Sequence, residues 1–128
     1  MHIELDARGA KYLEKIRKIA FALPDVAETE SFGHPWFRAG GAKGKVISVF
    51  GAEGGAWSLC FKVGKSNMSL FLKDPRFVQT PYIGKHGWVS LKLDPKKPDW
   101  EEVTELLRTS YRNNAAPKFV RKLEAGLD

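Results

Sequence analysis

The sequence predicts an α+β protein: a two-layer sandwich in which a twisted antiparallel sheet carries helices packed on one face. Three observations support this. Apolar residues recur at helical spacing near both ends of the chain, they alternate every second residue in its middle, and turn residues separate the alternating runs. The expected order is a helix, three or four antiparallel strands, a short helix, a further strand and a closing helix.

Asp6 is placed to cap a helix from about Ala7 to Ala22, with Leu13, Ile16, Ile19, Ala20 and Leu23 as its buried stripe. Gly9 weakens its first turn, and Pro24 ends it because the residue before a proline disfavours helical geometry. "ETESFGHPWFRAGG" reads as two short extended pieces around a bend at Gly33-His34-Pro35, closed by the Gly40-Gly41 turn. "KVISVFG" is a strand. Val46, Ile47, Val49 and Phe50 are too uniformly apolar for a half-wetted strand, so a central position is expected. After the turn "AEGG", "AWSLCFKVG" places Trp57, Leu59, Phe61 and Val63 on one face and Ser58, Cys60 and Lys62 on the other.

Ser66 is expected to cap a short helix that directs Met68, Phe71 and Leu72 inward and stops at Pro75. "RFVQTPYIGKHG" reads as a loop with some extended character. "WVSLKLD" alternates again, with Val89, Leu91 and Leu93 inward and Trp88, Ser90 and Lys92 outward. Beyond the linker "PKKP", Asp99 caps a helix from about Trp100 to Arg112 with Trp100, Val103, Leu106, Leu107 and Tyr111 on its apolar face. Asn113-Asn114 ends that helix, and Pro117 opens a short terminal one. One sheet face is left uncovered, and its polar positions include Ser58, Lys62, Ser90 and Lys92.

The 128 residues are read as one domain spanning the whole chain, and 43% hydrophobic with 28% charged residues is a globular composition. The single cysteine, Cys60, excludes an intrachain disulfide and suits a reducing cytoplasm. The charged start lacks the apolar core of a secretory signal, and no apolar run reaches the ~20 residues of a membrane span. The expected location is cytoplasmic. The net charge is +6, and Arg38 to Lys97 carries eleven basic residues against three acidic ones, so the surplus is concentrated in the middle. Clustered cations favour a polyanionic partner by displacing counterions from phosphate.

No catalytic set emerges. The GxSxG elbow, the P-loop and the dinucleotide fingerprint are absent. His34 and His86 lack an identifiable nucleophile and orienting acid. His2, His34, His86 and Cys60 are the soft metal ligands, and none pairs at a short metal-binding interval, so neither a metal nor a cofactor is expected. Cations do interleave with aromatic residues at Trp36-Phe37-Arg38, Phe61-Lys62 and Tyr82 to Trp88, a pattern suited to stacking on bases and tracking phosphates.

Three stretches carry a family resemblance. The first, Ala22 to Val46, has Leu23-Pro24, an acidic-threonine run, Phe32-Gly33-His34-Pro35, Phe37-Arg38 and a glycine turn. The second is "DPRFVQTPYIGKHGWVSLKLD", Asp74 to Asp94, and the third is "LLRTSYRNNAAPKFVRKL", Leu106 to Leu123. Together, and in this order, they resemble the MmcQ/YjbR family. The resemblance implies a CyaY-like, double-wing α/β sandwich and a DNA-binding role, with no catalytic assignment. Lys85-His86-Gly87-Trp88 departs from that family's pattern after Gly84. The iron-binding acidic ridge of the frataxin side of the fold has no counterpart, because the first helix carries only Glu14.

Two functional expectations result. In the first, the chain is a non-enzymatic DNA-binding module. Arg38, Lys43, Lys45, Lys62, Lys85 and Lys92 contact phosphate, and Tyr82 and Trp88 shape or stack the contact. In the second, His34, Arg38, Thr80, Tyr82 and His86 line a pocket, formed by the 33–38 and 80–88 loops, for a small anionic ligand or a partner peptide. Convergence of these side chains on one concavity favours the second; cations spread over a flat face favour the first.

Overall fold

The computed structural model describes residues 5–53 and 56–126. Helix α1 (Ala7–Phe21) leads into strands β1 (Val26–Ser31), β2 (His34–Ala39), β3 (Lys45–Glu53) and β4 (Ala56–Lys62). Helix α2 (Met68–Leu72) precedes β5 (Phe77–Gln79) and β6 (Trp88–Lys92), and helices α3 (Trp100–Asn114) and α4 (Pro117–Gly126) follow. The strands form one antiparallel sheet in the order β1-β2-β3-β4-β6-β5. The α+β sandwich expected from the sequence is therefore the fold, with β3 and β4 central. The stretch read as a loop at 76–87 contributes one more strand than expected, the short edge strand β5. Gly54 and Gly55 of the expected "AEGG" turn lie outside the described residues, as does His2.

The core lies between one face of the sheet and the helices. Leu13, Ile16 and Ala20 of α1 and Val103, Leu107 and Tyr111 of α3 meet Phe37, Phe50, Leu59, Phe61 and Val89 of the sheet. Burying each large apolar side chain is worth about 1.5–3 kcal/mol. Both long helices are capped as expected: Asp6 Oδ1 accepts from the Gly9 N–H, and Asp99 Oδ1 accepts from the Glu102 N–H. Ser66 makes no such cap; the chain there forms a 3₁₀ turn, Lys65–Asn67, before α2. Gly9 has a packing reason, since a Cβ there would stand 2.5 Å from the Trp57 ring. That ring stacks on Phe50 at 5.4 Å between centroids. Tyr111 donates its hydroxyl to Pro24 O, and burial, with Asp25 contributing, pushes its pKa up to about 12.

The uniform apolarity of β3 has a structural explanation. The β2–β3 register shifts at the Phe37–Arg38 step, which gives β3 one extra residue: Phe37 pairs with Ser48 but Arg38 with Val46. Ile47 and Phe50 are both fully buried in the core, three positions apart, and Val49 faces the other way. Beyond this bulge β3 and β4 separate. Their ladder runs from Phe50↔Leu59 to Glu53↔Ala56. Across the remaining gap side chains replace backbone pairing. Ser48 Oγ donates to Cys60 O, and Cys60 Sγ accepts from the Val49 N–H. From α3, Ser110 Oγ accepts from the Lys62 N–H and donates to Ile47 O. Asn113 and Asn114 donate to Lys62 O and Val46 O. The asparagines expected only to end α3 therefore tie it to the sheet.

Ser110→Ala is expected to destabilise the protein by about 2–4 kcal/mol, because it strands a strand N–H and a carbonyl in a buried gap. Urea unfolding of this variant beside Ser69→Ala, an exposed control, measures the difference. A loss no larger than the control's would remove Ser110 from this role.

Candidate functional site

The face of the sheet opposite the helices carries a cavity of about 570 Å³. Its floor follows from strand alternation: residues directly across a ladder share a face. Trp36 pairs with Val49, Gly51 with Ser58, and Cys60 with Ser90, and all of these line the cavity. The floor thus crosses β2, β3, β4 and β6. Gly51, Ser58, Cys60 and Ser90 are small, so the middle of the face sinks into a trough. His34 and Phe32 wall it on the β2 side, and Thr80, Pro81, Tyr82 and Ile83 wall it on the β6 side. Its width of three strand spacings, β2 to β6, is roughly 14 Å.

Polar groups in the trough are few. The Thr80 and Ser90 hydroxyls share a hydrogen bond of 2.9 Å. The His34 ring lies over Gly51, where an added Cβ would stand 3.4 Å from Nδ1. Among the described residues, His34 Nδ1 and Trp36 Nε1 are the buried side-chain nitrogen or oxygen atoms that lack a hydrogen-bond partner. Leaving such a group unsatisfied costs about 1–3 kcal/mol. Among the described residues, the lining includes no lysine, arginine, aspartate or glutamate.

Two rim residues have unusual backbones. Phe32 (φ +52°) and Tyr82 (φ +65°) adopt the left-handed conformation that side chains disfavour. Both are exposed aromatics, 82% and 95% accessible. Tyr82 is the centre of a tight turn in which the Ile83 N–H donates to Pro81 O at 2.7 Å.

The residues expected to form a pocket divide. His34, Thr80 and Tyr82 line the trough; Arg38 and His86 do not. Arg38 donates to Thr29 Oγ1 and Gly44 O and lies 5.3 Å over the Trp36 ring. His86 is exposed in the 3₁₀ turn Gly84–His86. Of the cations expected to meet DNA, Arg38 and Lys92 fall on the trough side of the sheet by the same alternation, beside Trp36 and opposite Ser58. Lys43, Lys45 and Lys85 are exposed, and Lys62 Nζ donates to Asn114 Oδ1. Arg76 is bound by Asp74 and Glu102, which raise its pKa, and its hydrogen bonds in turn hold the Asp74 carboxyl below the usual carboxylate range. Trp88 corrects its expected exposure. It shares the trough-side alternation of Ser90 but is 6% accessible, leaving no free ring face for stacking. The Gly64–Lys65 backbone crowds in just before it, within 2.9 Å of where a Cβ on Gly87 would be.

Phe32, Trp36, Val49 and Gly51 are trough residues not assigned to a pocket from the sequence. The available signal was the pairing of Phe32 with Gly33 in a turn next to an alternating strand. Ser58 and Ser90, expected on the uncovered face, form part of the floor.

No described helix is long and apolar enough to cross a membrane, and no cluster of three or more His, Cys, Asp or Glu among the described residues is placed to hold a metal ion. Fold and site together define an α+β sandwich with a helix-backed antiparallel sheet and a neutral trough on its open face. The family model described as YjbR matches residues 21–113, and the chain belongs to the YjbR family. The matched span includes every trough residue. The crystal structure of Deinococcus radiodurans protein DR2400, with family-model domain DUF419, is similar over 90% of this chain and 86% of that one, at 24% identity and a TM-score of 0.67. That likeness shows a shared fold. No curated protein matches the chain.

Tyr82→Gly is expected to stabilise the protein by about 1 kcal/mol, since glycine relieves the left-handed strain and an exposed ring loses little packing. Thermal unfolding tests this, and a lower melting temperature would mean that the ring itself holds the loop.

Proposed function

We propose that this YjbR-family chain is a binding module for a small organic molecule held in the trough on the open face of the sheet. One observation carries the reading: a cavity of about 570 Å³ is rimmed by two exposed aromatic residues whose backbones are both left-handed. Such a conformation costs about 1–3 kcal/mol per residue and persists where surrounding structure enforces it, commonly at ligand sites. The volume lies in the small-ligand range. The lack of charged side chains among the described lining residues favours a neutral, largely apolar molecule over the anion expected from sequence. A cytoplasmic location suits a chain whose single cysteine, Cys60, is buried.

Gly51→Leu tests the site by filling the floor of the trough. A library of neutral aromatic fragments, screened by thermal shift, is expected to stabilise the wild type and not this variant. Equal stabilisation of both, or of neither, would sink the reading.

A second reading, contact with DNA phosphates, is supported by the exposed Lys43, Lys45 and Lys85 and by the net charge of +6. Binding to duplex DNA would then fall steeply between two ionic strengths, and Lys43→Glu with Lys85→Glu would flatten the salt dependence by about two phosphate contacts. No binding at low salt would eliminate it.

A further inference from the structure

We infer that the trough takes an uncharged aromatic molecule bearing a hydrogen-bond acceptor, which Trp36 and His34 receive through their ring N–H groups. The inference rests on the trough being a ligand site and adds the chemistry of its ligand.

Trp36 Nε1 and His34 Nδ1 lack partners, and both belong to residues that line the trough. They lie two positions apart on β2, so their side chains share one face at a spacing of roughly 7 Å. An indole nitrogen only donates, and an imidazole can donate from either nitrogen according to its tautomer. The wall therefore holds one obligatory donor and one optional donor with no protein acceptor. Both atoms are sealed from water as the wall stands. Meeting an acceptor in the trough requires either ring to turn about χ2, and that turn is part of the inference.

The remaining features select the rest of the ligand. Phe32 and Trp36 lie 6.1 Å apart with their rings tilted by 43°, and Tyr82 stands on the opposite wall. Aromatic edges and faces of this kind favour an aromatic guest. The described lining holds no countercharge, and Arg38, 5.3 Å over the Trp36 ring, is already bonded to Thr29 and Gly44, so a formal charge would lose hydration for little return.

The test compares naphthalene, 2-acetylnaphthalene and 2-naphthoate by protein-observed NMR titration of the whole chain. 2-Acetylnaphthalene is expected to bind about tenfold more tightly than naphthalene, the ratio that one good hydrogen bond supplies. 2-Naphthoate is expected to bind no more tightly than naphthalene. Trp36→Phe keeps an aromatic wall, removes the N–H and is expected to erase the ratio between the ketone and naphthalene, whatever it does to the affinity for naphthalene itself. If Trp36→Phe does not fold, His34→Leu provides the same comparison and is expected to shrink the advantage. Equal affinities for naphthalene and the ketone in the wild type would overturn the acceptor and leave the ligand site standing. Tightest binding by 2-naphthoate would overturn the neutral ligand. Binding by none of the three would overturn the ligand site itself.

Discussion

The gap between β3 and β4, bridged by α3, is the constraint on which the rest of the structure depends. A bulge at the Phe37–Arg38 step gives β3 an extra residue, and beyond it β3 and β4 no longer pair. Buried backbone groups cannot be left unmatched. Ser110 therefore serves both strands, taking a hydrogen bond from the Lys62 N–H and giving one to Ile47 O. Asn113 and Asn114 close the end of the gap. The helix layer is thus bonded to the sheet as well as packed on it, and the position of α3 over β3 and β4 is fixed by hydrogen-bond geometry.

The same bulge shapes the open face. It keeps Ile47 and Phe50 in the core while turning Val49 and Gly51 toward the trough. With Ser58, Cys60 and Ser90 also small, the centre of the face is low and the walls are aromatic. The helix-backed side carries the stability, which leaves the open side free to hold strained rim residues and two unpaired ring nitrogens. Three of the basic residues have structural partners: Arg38 ties β2 to Thr29 and Gly44, Lys62 reaches Asn114, and Arg76 joins Asp74 to α3 through Glu102. None of these cations lines the trough.

Local patterns identified much of this. The helix caps Asp6 and Asp99, the alternation of Trp57 to Val63 and the central position of β3 follow from short-range chemistry, and the structure has them all. Three trough residues, His34, Thr80 and Tyr82, could be named because turn residues with polar or aromatic side chains stand out in sequence. The floor was harder. Ser58 and Ser90 were legible as polar positions on an open face, but Gly51 was not, because a single glycine in a strand carries no sign of what lies above it. Trp88 was misplaced because alternation reports the direction of a side chain and not what covers it. Ser66 followed capping chemistry in sequence, yet the chain preferred a 3₁₀ turn at Lys65–Asn67.

By itself the sequence determined the fold class, the order of elements and the family resemblance, since periodicity and turn chemistry are local properties of the chain. Tertiary structure alone decided where the bulge falls, which strands separate, and which side chains from four strands and two loops meet over one trough. These depend on register between segments distant in sequence. A one-residue change in register moves a side chain to the other face of the sheet.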